Sequence, residues 1–200
     1  MMMANKLTIS RFTLALLLWF ATPWLYGDEE SIAGQQSPGF VVLSATAQNI
    51  EGTVHLDATF ALRFGTTLEE ALHSGVTLPL LIEIEALQQR DYLWSKTVAH
   101  AEQGYLLSFN AVTGQYLLYN RNTDTQQRLP SLSAVRAVLG NLNKFPLMGR
   151  TQLKEGRQYL ARLRITVASD MLPVPLRLMS YVTSDWDIQS EWYQWPLKVR

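Results

Sequence analysis

From Thr53 to Phe64 the chain alternates without a break: Val54, Leu56, Ala58, Phe60, Leu62 and Phe64 take every second position, and Thr53, His55, Asp57, Thr59, Ala61 and Arg63 fill the positions between them. Successive strand side chains point to opposite faces, so this period of two predicts a strand with one buried face. The preceding segment FVVLSATAQ is also strand-like, and Asn49-Ile50-Glu51-Gly52 has hairpin chemistry. Residues 40–64 are therefore expected to form an antiparallel pair.

Thr66 and Glu69, or Thr67 and Glu70, have capping-box spacing, and Gly75 supplies a stop, so a helix of about two turns should follow. Leu78, Leu80, Ile82, Ile84 and Ala86 then face one way and Glu83 and Glu85 the other, with Pro79 at an unpaired or edge position. Further strands are read around Trp94–His100, Gly104–Asn110 and Gln115–Asn120, with a tight turn over Ala111-Val112-Thr113-Gly114. Leu132, Val135, Val138, Leu139 and Leu142 recur at helical spacing behind Ser131 or Ser133, predicting a second helix over 131–142. Alternation returns at Tyr159–Val167 and Leu176–Val182, and a last strand is expected from Trp186 to Trp195. This succession predicts a mostly β fold: one antiparallel β-sandwich-like domain with two short helices.

The N-terminus changes the picture. Lys6 and Arg11 precede an apolar run from Phe12 to Gly27, after which Asp28, Glu29 and Glu30 make the chain abruptly acidic. That order is the layout of a signal peptide over residues 1–27. Leu25 sits where a small residue is preferred before cleavage, so an uncleaved anchor is the competing reading. Either way the protein is expected to be exported to a periplasm, free or held at the inner membrane by its N-terminus. Residues 28–38 read as a flexible spacer and 39–197 as the folded domain, large enough at roughly 160 residues to bury about two thirds of its unfolded surface.

There is no cysteine, which removes lipoprotein anchoring, disulfides, thiolate metal sites and a cysteine nucleophile. The chain carries 17 basic and 17 acidic residues, and losing Lys6 and Arg11 would leave the rest slightly acidic. No like-charge block exceeds Asp28–Glu30, so neither a nucleic-acid partner nor a polybasic membrane segment is expected.

Three ordered blocks carry a family resemblance: Leu68, Ala71, Leu72, Gly75, Val76 and Leu78; then Tyr105, Leu107, Phe109, Asn110, Thr113 and Tyr116; then Ser184, Asp185, Trp186, Ser190, Trp192 and Trp195. The chain resembles, over about residues 39–197, an exported proteobacterial family catalogued as domain of unknown function 4390. The resemblance implies one exported domain with no assigned activity, cofactor or catalytic residue. It also implies a gene neighbourhood shared with a membrane sensor kinase of the nitrogen-regulation type, an associational pointer to an envelope partner.

Candidate chemistry is sparse. His55, His73 and His100 lack metal-ligand spacing, and no nucleophile elbow or phosphate-binding glycine loop occurs. Asp185, Asp187 and Gln189 resemble the start of a calcium loop, but Ser190 replaces its glycine and Pro196 its bidentate glutamate. No cofactor is expected. Glu83 and Glu85 lie about 7 Å apart on one strand face, and Arg162 and Arg164 share a face of another. Paired across neighbouring strands they would form a structural ion-pair lattice; unpaired they would line a polar groove for an anion or sugar. In the C-terminal aromatic cluster, even spacing puts Trp186 and Trp192 on one face and Tyr193 and Trp195 on the other. Tyr193 and Trp195 are expected on the exposed side, as anchors for a partner. The composite expectation is a non-catalytic binding or accessory protein. An envelope carbohydrate-binding protein, or a hydrolase with an unrecognised site, is the alternative.

Overall fold

The alternating segment becomes strand β2 (Thr53–Arg63), whose burial follows the pattern residue for residue. The computed structural model describes residues 38–90, 93–172, 174, 175, 177 and 186–198. The expected leader, the spacer up to residue 37 and the expected strand at 176–182, apart from Arg177, lie outside the described residues.

In chain order the remaining strands are β1 (Gly39–Ile50), β3 (Leu78–Gln88), β4 (Lys96–Asn110), β5 (Gln115–Asn120), β6 (Thr125–Leu129), β7 (Asn141–Gly149), β8 (Tyr159–Val167) and β9 (Tyr193–Pro196). Helix α1 (Gly65–His73) follows β2, and α2 (Leu132–Leu139) follows β6. One sheet has the order β1-β2-β7 and the other β6-β5-β4-β3-β8-β9. All the paired strands are antiparallel. The fold is thus mostly β, two open sheets with two short helices, as the alternation requires.

Phe40, Val42, Leu56, Phe60 and Leu62 of the smaller sheet meet Leu80, Ile82, Ile84, Leu163 and Ile165 of the larger one in a single buried cluster. Trp186 and Ile188, outside any strand, join it. In the β1–β2 hairpin Glu51 and Gly52 both take positive φ, +50° and +81°, the paired left-handed geometry that matches the twist of a two-residue hairpin. Between β4 and β5, Asn110 Oδ1 accepts from Val112 N and Thr113 N at 3.0 and 3.1 Å, an Asx turn.

Several boundaries differ from expectation. Helix α1 begins at Gly65, with Phe64 at the N-cap and no side-chain cap hydrogen bond, so the capping-box threonines sit inside the first turn. Ser131 does cap α2, its Oγ accepting from Ala134 N at 3.2 Å. Helix α2 stops at Leu139, and the residues expected to finish it enter β7 and pair with β2. The two strands expected over 94–110 are one continuous strand, β4. The last strand is confined to Tyr193–Pro196, because Trp186–Trp192 has no ladder beyond one isolated bridge, Thr166 to Gln189.

Gly140 joins α2 to β7, and its carbonyl accepts from Phe60 N at 2.9 Å. A Cβ there would lie 2.6 Å from the Arg136 carbonyl oxygen and 3.2 Å from that of Phe60. Both are backbone atoms that cannot swing aside. Gly140→Ala is expected to cost about 1–3 kcal/mol through this overpacking, read as a lower urea midpoint. An unchanged midpoint would mean that the helix end moves freely.

Candidate functional site

Strands β3 and β8 are neighbours, and their register sets Glu83 opposite Arg164 and Glu85 opposite Arg162. Because Ile82, Ile84, Leu163 and Ile165 take the inward positions, all four charged residues project from the outer face of the larger sheet. Arg162 donates to Glu85 Oε2 from Nε at 2.8 Å and lies 2.7 Å from it through Nη2. Arg164 Nε donates to Glu83 Oε2, and its Nη1 reaches Gln189 Oε1 at 3.4 Å. The polar set therefore forms the ion-pair lattice that cross-strand pairing requires.

The lattice continues onto β4. His100 Nδ1 lies 3.7 Å from Glu85 Oε1, and its Nε2 lies 3.1 Å from Glu102 Oε1. Glu102 stands directly opposite Glu83, a like-charge juxtaposition that costs energy unless a donor intervenes. His100 supplies one for Glu102, and Arg164 supplies one for Glu83. Above the β8 end, the Trp192 ring lies over both guanidinium groups, its centroid 4.3 Å from Arg162 Cζ and 4.7 Å from Arg164 Cζ.

Surface ion pairs contribute about 0–1 kcal/mol each. These side chains are partly shielded, the glutamates 17% and the arginines 29% and 30% exposed. Their main effect is positional: each guanidinium is locked by a carboxylate beneath an indole, a cation–π geometry worth roughly 0.5–2 kcal/mol. The result is a platform of paired charges with one half-buried tryptophan on it.

Tyr193 and Trp195 are placed differently from expectation. They pair with Leu163 and Ala161 on β8, and paired residues share a face, so both rings turn to the core side. Each is partly buried against the core, their centroids 5.9 Å apart. The parity argument assumed a regular strand through residue 192. Since β9 starts at Tyr193, the alternation cannot be extended back to Trp186 and Trp192. Trp186 is buried, and Trp192 lies over the Arg162 and Arg164 face.

The histidines are dispersed. His55 Nδ1 lies 3.1 Å from the Thr53 carbonyl oxygen, and His73 Nε2 lies 3.0 Å from Tyr116 Oη and packs against Phe109. Burial pushes the Tyr116 phenol above its ordinary pKa, with the Glu69 carboxylate adding and Arg136 opposing. Among the described residues no three His, Asp or Glu are grouped to hold a metal ion, and no helix is long and apolar enough to cross a membrane.

The family model described as Domain of unknown function (DUF4390) matches residues 37–196. No curated protein and no solved structure matches the chain.

Proposed function

Because the chain belongs to the family described as Domain of unknown function (DUF4390), its reading rests on its own geometry, and we propose that it is an exported, non-catalytic binding or accessory protein of the cell envelope. The contact surface is the outer face of the larger sheet, centred on Trp192. One observation carries this: the indole stacked over Arg162 and Arg164, both braced by glutamates. Tryptophan and arginine dominate the energetics of protein interfaces, above all when held rigid before binding. A surface whose charges are already paired with one another suits a macromolecule better than a small substrate, which needs a concave site with convergent polar groups. That favours a protein partner, and the extracytoplasmic segment of a membrane sensor kinase is the one to test first.

Trp192→Ala is expected to weaken partner binding at least about thirtyfold, the effect of losing a hot spot of 2 kcal/mol or more. Its melting temperature should stay within a few degrees of the parent, since the ring lies outside the core cluster. The measurement is titration of the purified kinase segment by calorimetry. Parental affinity in a folded Trp192→Ala protein would remove this face as the contact site.

A further inference from the structure

At the end of the sandwich formed by the β1–β2 hairpin and the β7–β8 connection lies a cleft of about 590 Å³. Its lining carries four cations, Arg150, Lys154, Arg157 and Lys198, against the single carboxylate of Glu155. Glu51, at the crown of the same hairpin, does not line it. All four cations are exposed, and among the described residues none forms an ion pair. In a chain of zero formal charge this is a local concentration of unneutralised positive charge. Two hydrogen bonds tie its walls together: Arg150 N donates to the Gly52 carbonyl oxygen at 2.8 Å, and Lys154 N donates to the Tyr159 side-chain Oη at 3.0 Å.

A second feature emerges at the same end. Gln88 at the end of β3 pairs with both Tyr159 and Lys96, and Gln89 N donates to the Gln158 carbonyl oxygen at 2.9 Å. The β3–β4 loop is therefore rooted beside the cleft, and it presents Leu93 and Trp94 at 66% and 91% exposure. An isolated aromatic so fully in water has no part in the core. Tryptophan beside leucine, flanked by unpaired cations, is the composition that seats in a lipid headgroup layer: the cations neutralise phosphates and the indole enters the interface. We propose that this end of the domain is a peripheral docking surface for an anionic phospholipid membrane, with headgroup phosphates in the Arg150, Lys154, Arg157 and Lys198 cleft. It is the opposite end of β1 from Gly39, so contact there is distinct from any tether through the preceding residues. The proposal stands apart from the Trp192 platform.

The test uses the full chain with vesicles of phosphatidylcholine alone or containing phosphatidylglycerol, read by co-sedimentation and by amide hydrogen exchange. The parent should bind the anionic vesicles more tightly, with exchange slowed at residues 93–96 and 150–157. Neutralising Arg150, Lys154 and Arg157 together to Gln should reduce the phosphatidylglycerol-dependent partitioning at least about thirtyfold, since each cation near an anionic surface contributes a factor of about five. Trp94→Ser should reduce it severalfold, and both variants should melt like the parent. Protection confined to residues 1–27, or undiminished anionic binding by the triple variant, would overturn the proposal. Exchange slowed by glycerol phosphate in solution but not by the vesicles would overturn it too, in favour of a soluble phosphate ester.

Discussion

Phe60→Ala is expected to lower the unfolding free energy by about 3–5 kcal/mol, the cost of truncating a buried phenylalanine. Phe60 is 6% exposed and lies in the middle strand of the three-stranded sheet, facing the larger sheet across the core. Its backbone leaves the ring little freedom to collapse into the space created, because it is held on one side by Val42 of β1 and on the other by the Gly140 carbonyl. For a domain of this size the loss corresponds to a drop in Tm of roughly 6–20 °C. Urea unfolding followed by tryptophan fluorescence gives the free energy directly. A change below about 0.5 kcal/mol would be surface behaviour and would mean that β2 presents its other face to the core.

That this face could be assigned from the sequence follows from how β2 is built: both neighbours are antiparallel strands and one side is wholly buried, so burial and alternation coincide. The same holds for β3 and β8, so the shared outward face of each charged pair could be read from the alternation, while the choice between lattice and groove for Glu83, Glu85, Arg162 and Arg164 depends on the β3–β8 register. Strand β6, Thr125-Gln126-Gln127-Arg128-Leu129, was not: it is a mostly exposed edge strand, so no hydrophobic period exists to be read. Strand β7 is hidden for a different reason. Register shifts at Val54/His55 and Leu56/Ala58 and a positive φ at Lys144 break its alternation, and Pro146 reads as a terminator. Trp192 was assigned to the wrong environment because period-two reasoning holds only inside a ladder. The cationic cleft is legible only in part, because Arg150, Lys154 and Arg157 fall within eight residues but nothing in that run marks a cleft. Lys198 joins them only because the C-terminal segment runs beside the start of β8, where Leu197 N donates to the Tyr159 carbonyl oxygen.

Replacing Tyr193 and Trp195 together by Ser is expected to destabilise the domain by about 3 kcal/mol or more, because both rings pack against the core and neither hydroxyl recovers that contact. This is opposite to what surface anchors would do. Strand β9 pairs only through Tyr193–Pro196 and is the outermost strand of the larger sheet, so the two rings are its main hold on the sandwich. Trp195→Phe separates packing from polarity. Trp195 Nε1 is buried with no hydrogen-bond acceptor among the described residues, and an unsatisfied buried donor costs about 1–3 kcal/mol. Phe keeps most of the ring and removes the donor, so the single variant should lie within about 1 kcal/mol of the parent or be more stable. Both are measured by urea unfolding at matched protein concentration. If the Tyr193→Ser, Trp195→Ser protein keeps the parental midpoint, the rings face solvent. Strand β9 must then pair with β8 one residue out of the register described, since a single-residue slip moves every side chain of a strand to the opposite face.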